Sequence, residues 1–181
     1  MTARTPADTV ETARLTLQPS TPEQLLALIE QPEAFEGLMG VPVVAGLHAL
    51  YNSGAVSPQW LAVLRQAPPS APDVWGLGFF VVHRMDACVI GSAGYKGPPD
   101  AAGMVEIAYG IAPSYEGQGY ASEAAAALVA FALDHGARLL RAHTLPVSNA
   151  SGRILLKCGF RHVGPVVDLE DGTVWRWERP R

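Results

Sequence analysis

The chain has 181 residues, of which 49% are hydrophobic and 17% are charged, and its formal net charge is −4. This balance excludes a disordered chain and favours one folded domain over residues 1–181. The acidic charge disfavours nucleic acid as a partner, and no apolar run approaches the roughly 20 residues of a membrane helix. We therefore expect neither a nucleic-acid partner nor a membrane partner.

The two cysteines, Cys88 and Cys158, are too few for a disulfide framework. The five histidines are scattered and lack the spacing of metal ligands. The N-terminal stretch lacks the apolar core of a signal peptide. We therefore expect a cytoplasmic protein that binds no metal.

The first half of the chain predicts one strand and three helices. Residues 1–11 are predicted to form a flexible tail. The alternation of residues 14–18 predicts a short strand. Helices are predicted over residues 23–31, 43–52 and 58–66, with Thr21 and Ser57 as N-caps of the first and the last.

The second half has a more regular pattern. Strands are predicted over residues 76–82, 87–95, 104–111 and 139–144, and a final hairpin over residues 160–168 and 173–178 that turns at residues 170–172. Helices are predicted over residues 119–135 and 149–158, ended by Gly136 and Gly159. This order of elements indicates an α/β domain.

The most informative stretch runs from residue 105 to residue 124, where a strand, a glycine turn and a helix start follow one another. The unsatisfied N–H groups and the dipole of a helix start can hold a phosphate, and Gly117 and Gly119 let a ligand approach the backbone. The lysine of a P-loop is absent, and Ser122 stands where a dinucleotide-binding loop has its third glycine. By itself the turn could equally be a tight connection between strand and helix.

Three motifs extend this signal. The first is Glu106-Ile-Ala-Tyr-Gly-Ile111 with the turn from Glu116 to Ala121, the second runs from Thr144 to Phe160, and the third is Gly94-Tyr-Lys-Gly-Pro-Pro99. In this order and spacing, they make the chain resemble the GCN5-related N-acetyltransferases (GNAT), in the branch similar to the ribosomal-protein N-terminal acetyltransferases.

The resemblance implies both a fold and an activity. The implied fold is mixed α/β, with a mostly antiparallel, twisted sheet of about six to seven strands flanked by helices. The implied activity is the transfer of an acetyl group from acetyl-CoA to a primary amine of a small molecule or a protein N-terminus, by direct attack in a ternary complex.

The resemblance also implies roles for individual residues. Glu106 is expected to be the general base, directly or through water, with a pKa raised by partial burial. The departing thiolate is expected to be protonated by Ser151, by Asn149 through a water or by bulk solvent, or to leave unassisted. A backbone N–H near Ala108 or Tyr109 is expected to polarise the thioester carbonyl. The residues expected to hold acetyl-CoA are Tyr109, Gly110, Ile111, Glu116, Gly117, Gln118, Gly119, Tyr120, Ala121, Ser122, Asn149, Arg153 and Lys157.

Each of these roles has a structural alternative. Glu106 could be a solvated carboxylate or a member of an ion pair, and Asn149 is a natural N-cap for the last helix. Arg153 and Lys157 could be ordinary solvated surface residues. Residues 109–111 could be part of a normally paired strand.

The chain departs from the family at two positions. Glu116 stands where the family usually has Arg or Gln, and its carboxylate should repel a pyrophosphate. Leu155 stands where many relatives carry a Tyr that protonates the thiolate. These departures leave open a second hypothesis, a non-catalytic module that binds acetyl-CoA or coenzyme A as a sensor or regulator.

The acceptor amine is not defined by the sequence. Residues 32–75 are expected to shape its pocket, and Tyr51, Trp60 and Trp75 could either line that pocket or lie in the core. Similar proteins are often dimers, so a homodimer is a further expectation, and the sequence locates no interface for it.

Overall fold

The computed structural model describes residues 8–52, 57–169 and 171–181, and of residues 50–52 it describes the backbone alone. The predicted tail up to residue 7, the side chain of Tyr51 and the turn residue Glu170 therefore lie outside the described residues.

Eight strands form one sheet in the spatial order β1-β2-β3-β4-β5-β6-β8-β7. The strands are β1 Val10–Glu11, β2 Leu15–Pro19, β3 Phe79–His83, β4 Cys88–Tyr95, β5 Met104–Ile111, β6 Leu139–Thr144, β7 Arg161–Asp168 and β8 Gly172–Pro180. All neighbouring pairs are antiparallel except β5 and β6, which are parallel. The expected mixed, mostly antiparallel sheet is confirmed.

The sheet has one strand more than the six to seven predicted, and the additional strand is β1. Val10 pairs with Leu17, and Glu11 pairs with Thr16. The predicted flexible tail over residues 1–11 is therefore wrong for its last two residues, because β2 offers them a free edge with which to pair.

Six α-helices flank the sheet within the described ranges. They are α1 Pro22–Glu30, α2 Pro32–Met39, α3 Leu47–Asn52, α4 Pro58–Gln66, α5 Tyr120–Asp134 and α6 Ala150–Lys157. Thr21 caps α1 through a reciprocal capping box with Gln24, and the Ser57 side chain accepts from the Trp60 N–H. Both predicted N-caps are confirmed.

The region between α1 and α4 differs most from the prediction. Helix α2 is absent from the predicted elements, and α3 begins at Leu47 instead of at residue 43. Val44 N donates to Val89 O at 3.1 Å, and Val89 N donates to Pro42 O at 2.9 Å. Pairing with β4 therefore holds residues 42–44 extended and overrides their helical pattern.

Helices cover both faces of the sheet. On one face, α5 and α6 pack over a core that contains Phe79 and Val81, and on the other, α1 to α4 cover Phe80 and Val89. The alternation along β3 follows from the period of two in a strand. No helix within the described ranges is both long and apolar enough to span a bilayer.

Helix α5 lies close to the sheet because its inner face is made of small residues. Ala124, Ala125 and Ala132 have no exposed surface. Gly119 at the N-cap has a φ of +86°, and Gly136 just after the helix has a φ of +90°. Both dihedral angles favour glycine, so the chain turns sharply at each end of α5.

Strands β5 and β6 separate after a short junction. In the described part of the chain they pair only between Met104–Glu106 and residues 139–141. Further along, β5 stays paired with β4 up to Ile111, and β6 stays paired with β8 up to Thr144. Residues 107–111 and residues 142–144 therefore border a gap, which we call the wedge. Residues 109–111 therefore pair with β4 but not with β6, so the alternative of a normally paired strand is wrong for one of their two edges.

Candidate active site

A cavity of about 320 Å³ lies in the wedge. Its titratable lining residues include Lys96 just after β4, Glu106 on β5, His143 on β6 and Asp171 in the turn of the last hairpin. The other lining residues are Ile107, Ala108, Tyr109, Ala142, Thr144, Leu145, Ser151, Leu155 and Val174. Because the two strands part here, side chains from both faces of the sheet reach one cavity.

Glu106 lies at the junction where the wedge begins. Val105 and Ile107 on either side of it are buried in the core, so the alternation of the strand turns Glu106 to the opposite face. Its Oε1 lies 2.9 Å from Lys96 Nζ and 3.0 Å from His143 Nδ1. The carboxylate is therefore a member of an ion pair and also a wall of the cavity.

The pKa of Glu106 differs from the expectation. Burial raises it, but the hydrogen bonds and charges of Lys96 and His143 together outweigh burial, and the pKa lies below its ordinary value. The expected raised pKa is therefore wrong, because the sequence does not show that Lys96 and His143 surround this carboxylate. The same contact with Glu106 outweighs burial at Lys96 and raises the pKa of that ammonium.

His143 is a cavity residue that the sequence does not single out. Its Nδ1 contacts Glu106, and its Nε2 is buried with no hydrogen-bond partner among the described residues. A carboxylate only accepts, so Nδ1 carries the proton in this contact. No local pattern connects the two residues, because the parallel pairing of β5 with β6 is what brings them together.

Tyr109 lines the cavity from the other face of the sheet. Its Oη is buried without a partner among the described residues, and its ring packs against the core that contains Leu155. Burial, with a smaller contribution from Cys158, raises the pKa of Tyr109. The hydroxyl therefore keeps its proton and can donate it, whereas the sequence predicts only backbone contacts here.

The glycine turn, residues 116–119, is exposed between β5 and α5. Gly117 has a φ of +73° and Gly119 a φ of +86°, which glycine adopts without strain. The N–H groups of residues 120–122 have no intrahelical acceptor, as at the start of any helix, and no side chain caps α5 in its place. With the helix dipole, these donors can bind an anion.

Arg14 ties the glycine turn to the sheet, a role that its place at the start of a predicted strand does not indicate. Its Nε lies 2.7 Å from Glu123 Oε2, and its Nη1 donates to Gln118 O at 3.0 Å. The guanidinium also lies 4.3 Å from the centre of the Tyr120 ring. The start of β2 therefore fixes both the turn and the first turn of α5.

The Tyr120 side chain points away from the glycine turn. Its hydroxyl lies 3.0 Å from His83 Nε2, and His83 Nδ1 lies 3.0 Å from Asp86 Oδ2. The Tyr115 hydroxyl donates to the same Asp86 oxygen at 2.7 Å. Tyr120 can therefore offer a ligand its backbone N–H alone.

The predicted residues of α6 lie in different surroundings. Asn149 Oδ1 accepts from Gly152 N at 2.9 Å, so the N-cap alternative is confirmed. Ser151 is half-buried and lines the cavity. Arg153 and Lys157 are exposed and lie outside the lining of the cavity. The structure therefore brings Ser151 into the site and leaves the two basic residues at the surface of α6.

A second cavity, of about 570 Å³, lies between α1, α2 and α4. Two of its lining residues, Glu30 and Arg65, pair with each other. The wedge cavity is the stronger candidate for an active site, because its lining residues include polar groups that lack hydrogen-bond partners among the described residues. Among the described residues, no group of three His, Cys, Asp or Glu side chains could hold a metal ion.

Residues 32–75 contribute side chains to the second cavity, and all lining residues of the wedge cavity lie between Lys96 and Val174. Trp60 and Trp75 are half-buried against the two cores, as in the core alternative. That residues 32–75 shape an acceptor pocket stays a prediction.

The lowered pKa of Glu106 predicts an acid-dependent loss of stability. A carboxyl whose folded pKa is depressed stabilises the fold above its unfolded pKa of about 4.3, and this contribution is lost as the pH falls through the folded pKa. We expect the free energy of unfolding of the wild type to exceed that of Glu106→Gln by a constant amount above about pH 5, and by less at lower pH. Urea denaturation from pH 7 to pH 3 measures the difference.

Asp134→Asn, which removes an exposed carboxylate from α5, controls for the loss of one negative charge. A difference between wild type and Glu106→Gln that stays constant down to pH 3 would contradict the assignment.

Comparison of the chain with known protein families identifies its family. The family model described as the acetyltransferase (GNAT) domain matches residues 14–161. No curated protein matches the chain significantly.

Several solved structures share the fold. The GNAT acetyltransferase from Bacillus anthracis is 16% identical, with 95% of this chain and 98% of that chain covered and a TM-score of 0.63. The ribosomal-protein-S5-alanine acetyltransferase from Vibrio fischeri is 14% identical, with coverage of 95% and 96% and a TM-score of 0.62. The ribosomal L7/L12 alpha-N-protein acetyltransferase RimL, in complex with coenzyme A, is 13% identical, with coverage of 96% and 98% and a TM-score of 0.64.

The family match spans most of the chain, from the arginine that holds the glycine turn to the first residue of β7. It includes the wedge, the uncapped start of α5, and Lys96, Glu106 and His143. The chain therefore belongs to the GNAT family of acetyltransferases.

Proposed function

We propose that this protein transfers an acetyl group from acetyl-CoA to a primary amine of a small molecule or a protein N-terminus, by direct attack in a ternary complex. The wedge carries the proposal, because β5 connects the anion-binding glycine turn at one end with the Glu106 cluster at the other. Acetyl-CoA carries a pyrophosphate at one end of its pantetheine arm and the thioester at the other, so it needs a phosphate site and a reaction site connected by a groove.

The residues of the wedge fit acetyl-CoA. The free N–H groups at the start of α5 and the positive-φ glycines suit a pyrophosphate, and the unpaired edge of residues 109–111 suits the amides of the pantetheine arm. The RimL structure contains coenzyme A, which supports coenzyme A as the ligand class. Ser122 lies in the first turn of α5 and would offer its backbone N–H to the pyrophosphate. Asn149 would contact the pantetheine arm through Nδ2, because its Oδ1 already caps α6.

The adenosine end of acetyl-CoA would lie nearer the surface. Arg153 and Lys157 are exposed on α6, where their charges could meet the 3′-phosphate. Glu116 is also exposed on the glycine turn, so water can screen its carboxylate from the pyrophosphate.

Bound acetyl-CoA would supply a thioester carbonyl at the closed end of the wedge. A backbone N–H near Ala108 or Tyr109 polarises this carbonyl, since that edge of β5 is unpaired. Glu106 draws the proton from the amine, whose nitrogen bonds to the carbonyl carbon as the carbon–sulfur bond breaks. Positioning and carbonyl polarisation supply most of the rate increase in this scheme.

Two hydroxyls in the cavity could protonate the departing sulfur. Ser151 and Tyr109 both line the cavity, and Leu155 between them cannot donate. We favour Tyr109 because its buried hydroxyl lacks a partner, and burial keeps it protonated. A cytoplasmic location completes the proposal, in keeping with the unpaired thiols of Cys88 and Cys158.

A matched pair of substitutions at Gly117 tests the seat of the pyrophosphate. A Cβ there meets no atom within 4 Å, and Asn and Asp are the residues that best tolerate its positive φ. We expect Gly117→Asp to raise the Kd for acetyl-CoA about tenfold over Gly117→Asn, because it adds a negative charge beside the phosphates. Isothermal titration calorimetry measures both affinities, and equal values for the two variants would contradict the placement.

Acetyl transfer is tested by thiol release from acetyl-CoA with four probe amines: a peptide with a free N-terminus, spermidine, an aminoglycoside and a free amino acid. We expect at least one probe to raise thiol release above background, and Glu106→Gln to lower the rate about a hundredfold by removing the proton acceptor. Binding of acetyl-CoA without transfer to any probe would favour the non-catalytic module.

The proton donor is tested by comparing Tyr109→Phe with Ser151→Ala. We expect Tyr109→Phe to lower kcat about a hundredfold while the Kd for acetyl-CoA stays the same, because only the departing sulfur needs the hydroxyl. Tyr115→Phe removes the same group outside the cavity and serves as the control. A loss of kcat in Ser151→Ala with none in Tyr109→Phe would transfer the role to Ser151.

A further inference from the structure

We propose that His143 takes the proton from the acceptor amine at its Nε2, while Glu106 holds the ring through Nδ1. The inference rests on the proposed function and deepens it, because it moves the proton-accepting role from Glu106 to the neighbouring His143, a residue that the sequence motifs do not contain.

The geometry of His143 supports this role. Nδ1 lies 3.0 Å from Glu106 Oε1, so its proton points at the carboxylate. The side chain lines the cavity and is 13% exposed, and Nε2 is buried without a partner among the described residues. A buried polar atom without a hydrogen bond is costly and rare, and an amine in the cavity would be the missing partner.

Glu106 is poorly placed to act directly. Its Oε1 already faces both Lys96 and His143. These contacts also hold the pKa of Glu106 below its ordinary value, which makes the carboxylate a weaker base. A carboxylate that holds Nδ1–H fixes the tautomer of an imidazole, which leaves the lone pair of Nε2 available to take up a proton.

The charges around His143 come from three directions. Glu106 on β5 and Lys96 after β4 form the cluster at its Nδ1 side. Arg176 lies directly opposite His143 on β8, and Asp171 lines the same cavity. The two cations and two carboxylates thus balance each other around the neutral ring. Transfer of a proton from an ammonium in the cavity to Nε2 leaves the total charge of the cavity unchanged.

The proton transfers balance in this scheme. The ammonium form of the acceptor loses one proton to Nε2, and the free amine attacks the thioester carbon. The carbon–nitrogen bond forms and the carbon–sulfur bond breaks. The nitrogen loses its second proton to the departing sulfur, directly or through the Tyr109 hydroxyl. His143 returns its proton to solvent after the products leave, which restores the neutral ring.

The experiment compares His143→Gln with His143→Ala. Glutamine can still donate a hydrogen bond to Glu106 but cannot take up a proton, so it separates chemistry from positioning. We expect His143→Gln to lower kcat/KM about a hundredfold with the most active probe amine, and to remove the acid limb of the pH profile. We expect added imidazole to restore part of the activity of His143→Ala. His162→Gln, which changes an exposed histidine on β7, is the control.

Wild-type activity and an unchanged pH profile in His143→Gln would overturn the inference. So would a loss confined to His143→Ala that imidazole does not restore, because that pattern means positioning alone.

A measurement without an acceptor separates this inference from the proposed function. In protein labelled with ¹⁵N-histidine, we expect the neutral ring of His143 to carry its proton on Nδ1, and Glu106→Gln to change the tautomer ratio. A proton on Nε2 overturns the inference even if the enzyme is active. A wild type that acetylates none of the four probes contradicts the proposed function, whatever the tautomer.

Discussion

Inside a sheet, each strand normally gives its backbone hydrogen bonds to two neighbours, and a strand that loses one neighbour leaves donors and acceptors to be satisfied otherwise. β5 and β6 impose this condition on the middle of this sheet, because they part after Glu106 and Arg141 while each keeps its outer partner. The unpaired edge can bind the amides of an extended ligand. The other features of the site, from the glycine turn to the tyrosine hydroxyl, are arranged around this opening.

The opening also determines the electrostatics. In a closed sheet, Glu106 and Tyr109 would lie on opposite faces, separated by the backbone, whereas here both line one cavity. The charged lining residues lie on one face of the sheet, where Lys96 and His143 contact Glu106. The lining residues with neutral hydroxyls, Tyr109 and Ser151, lie on the other face. In the proposed function, proton removal and proton delivery therefore take place on different faces of one sheet.

How much the sequence predicts depends on the range of the contacts involved. Thr21 and Ser57 cap their helices through atoms three residues away, and β5 and β6 are regular strands, so local patterns identify them. Val44 is hydrogen-bonded to β4, and β1 is paired with β2. These pairings with other strands override the helix predicted at Val44 and the flexible tail predicted at β1. The contact between His143 and Glu106, and that between Arg14 and Glu123, join residues 37 and 109 positions apart. The family motifs give Glu106 the role of a base, but they give Lys96 no role and do not contain His143. The pKa of Glu106 is therefore predicted in the wrong direction.

The short junction between β5 and β6 has a mechanical consequence. Five strands lie on one side of it and three on the other, and the two groups share three residue pairs of backbone bonding. Helices α5 and α6 contact each other across this seam and supply much of the remaining rigidity. A ligand that forms hydrogen bonds with both walls of the wedge would connect the two groups of strands beyond this junction. The rigidity of the sheet across this short junction would therefore increase when a ligand bonds to both walls of the wedge.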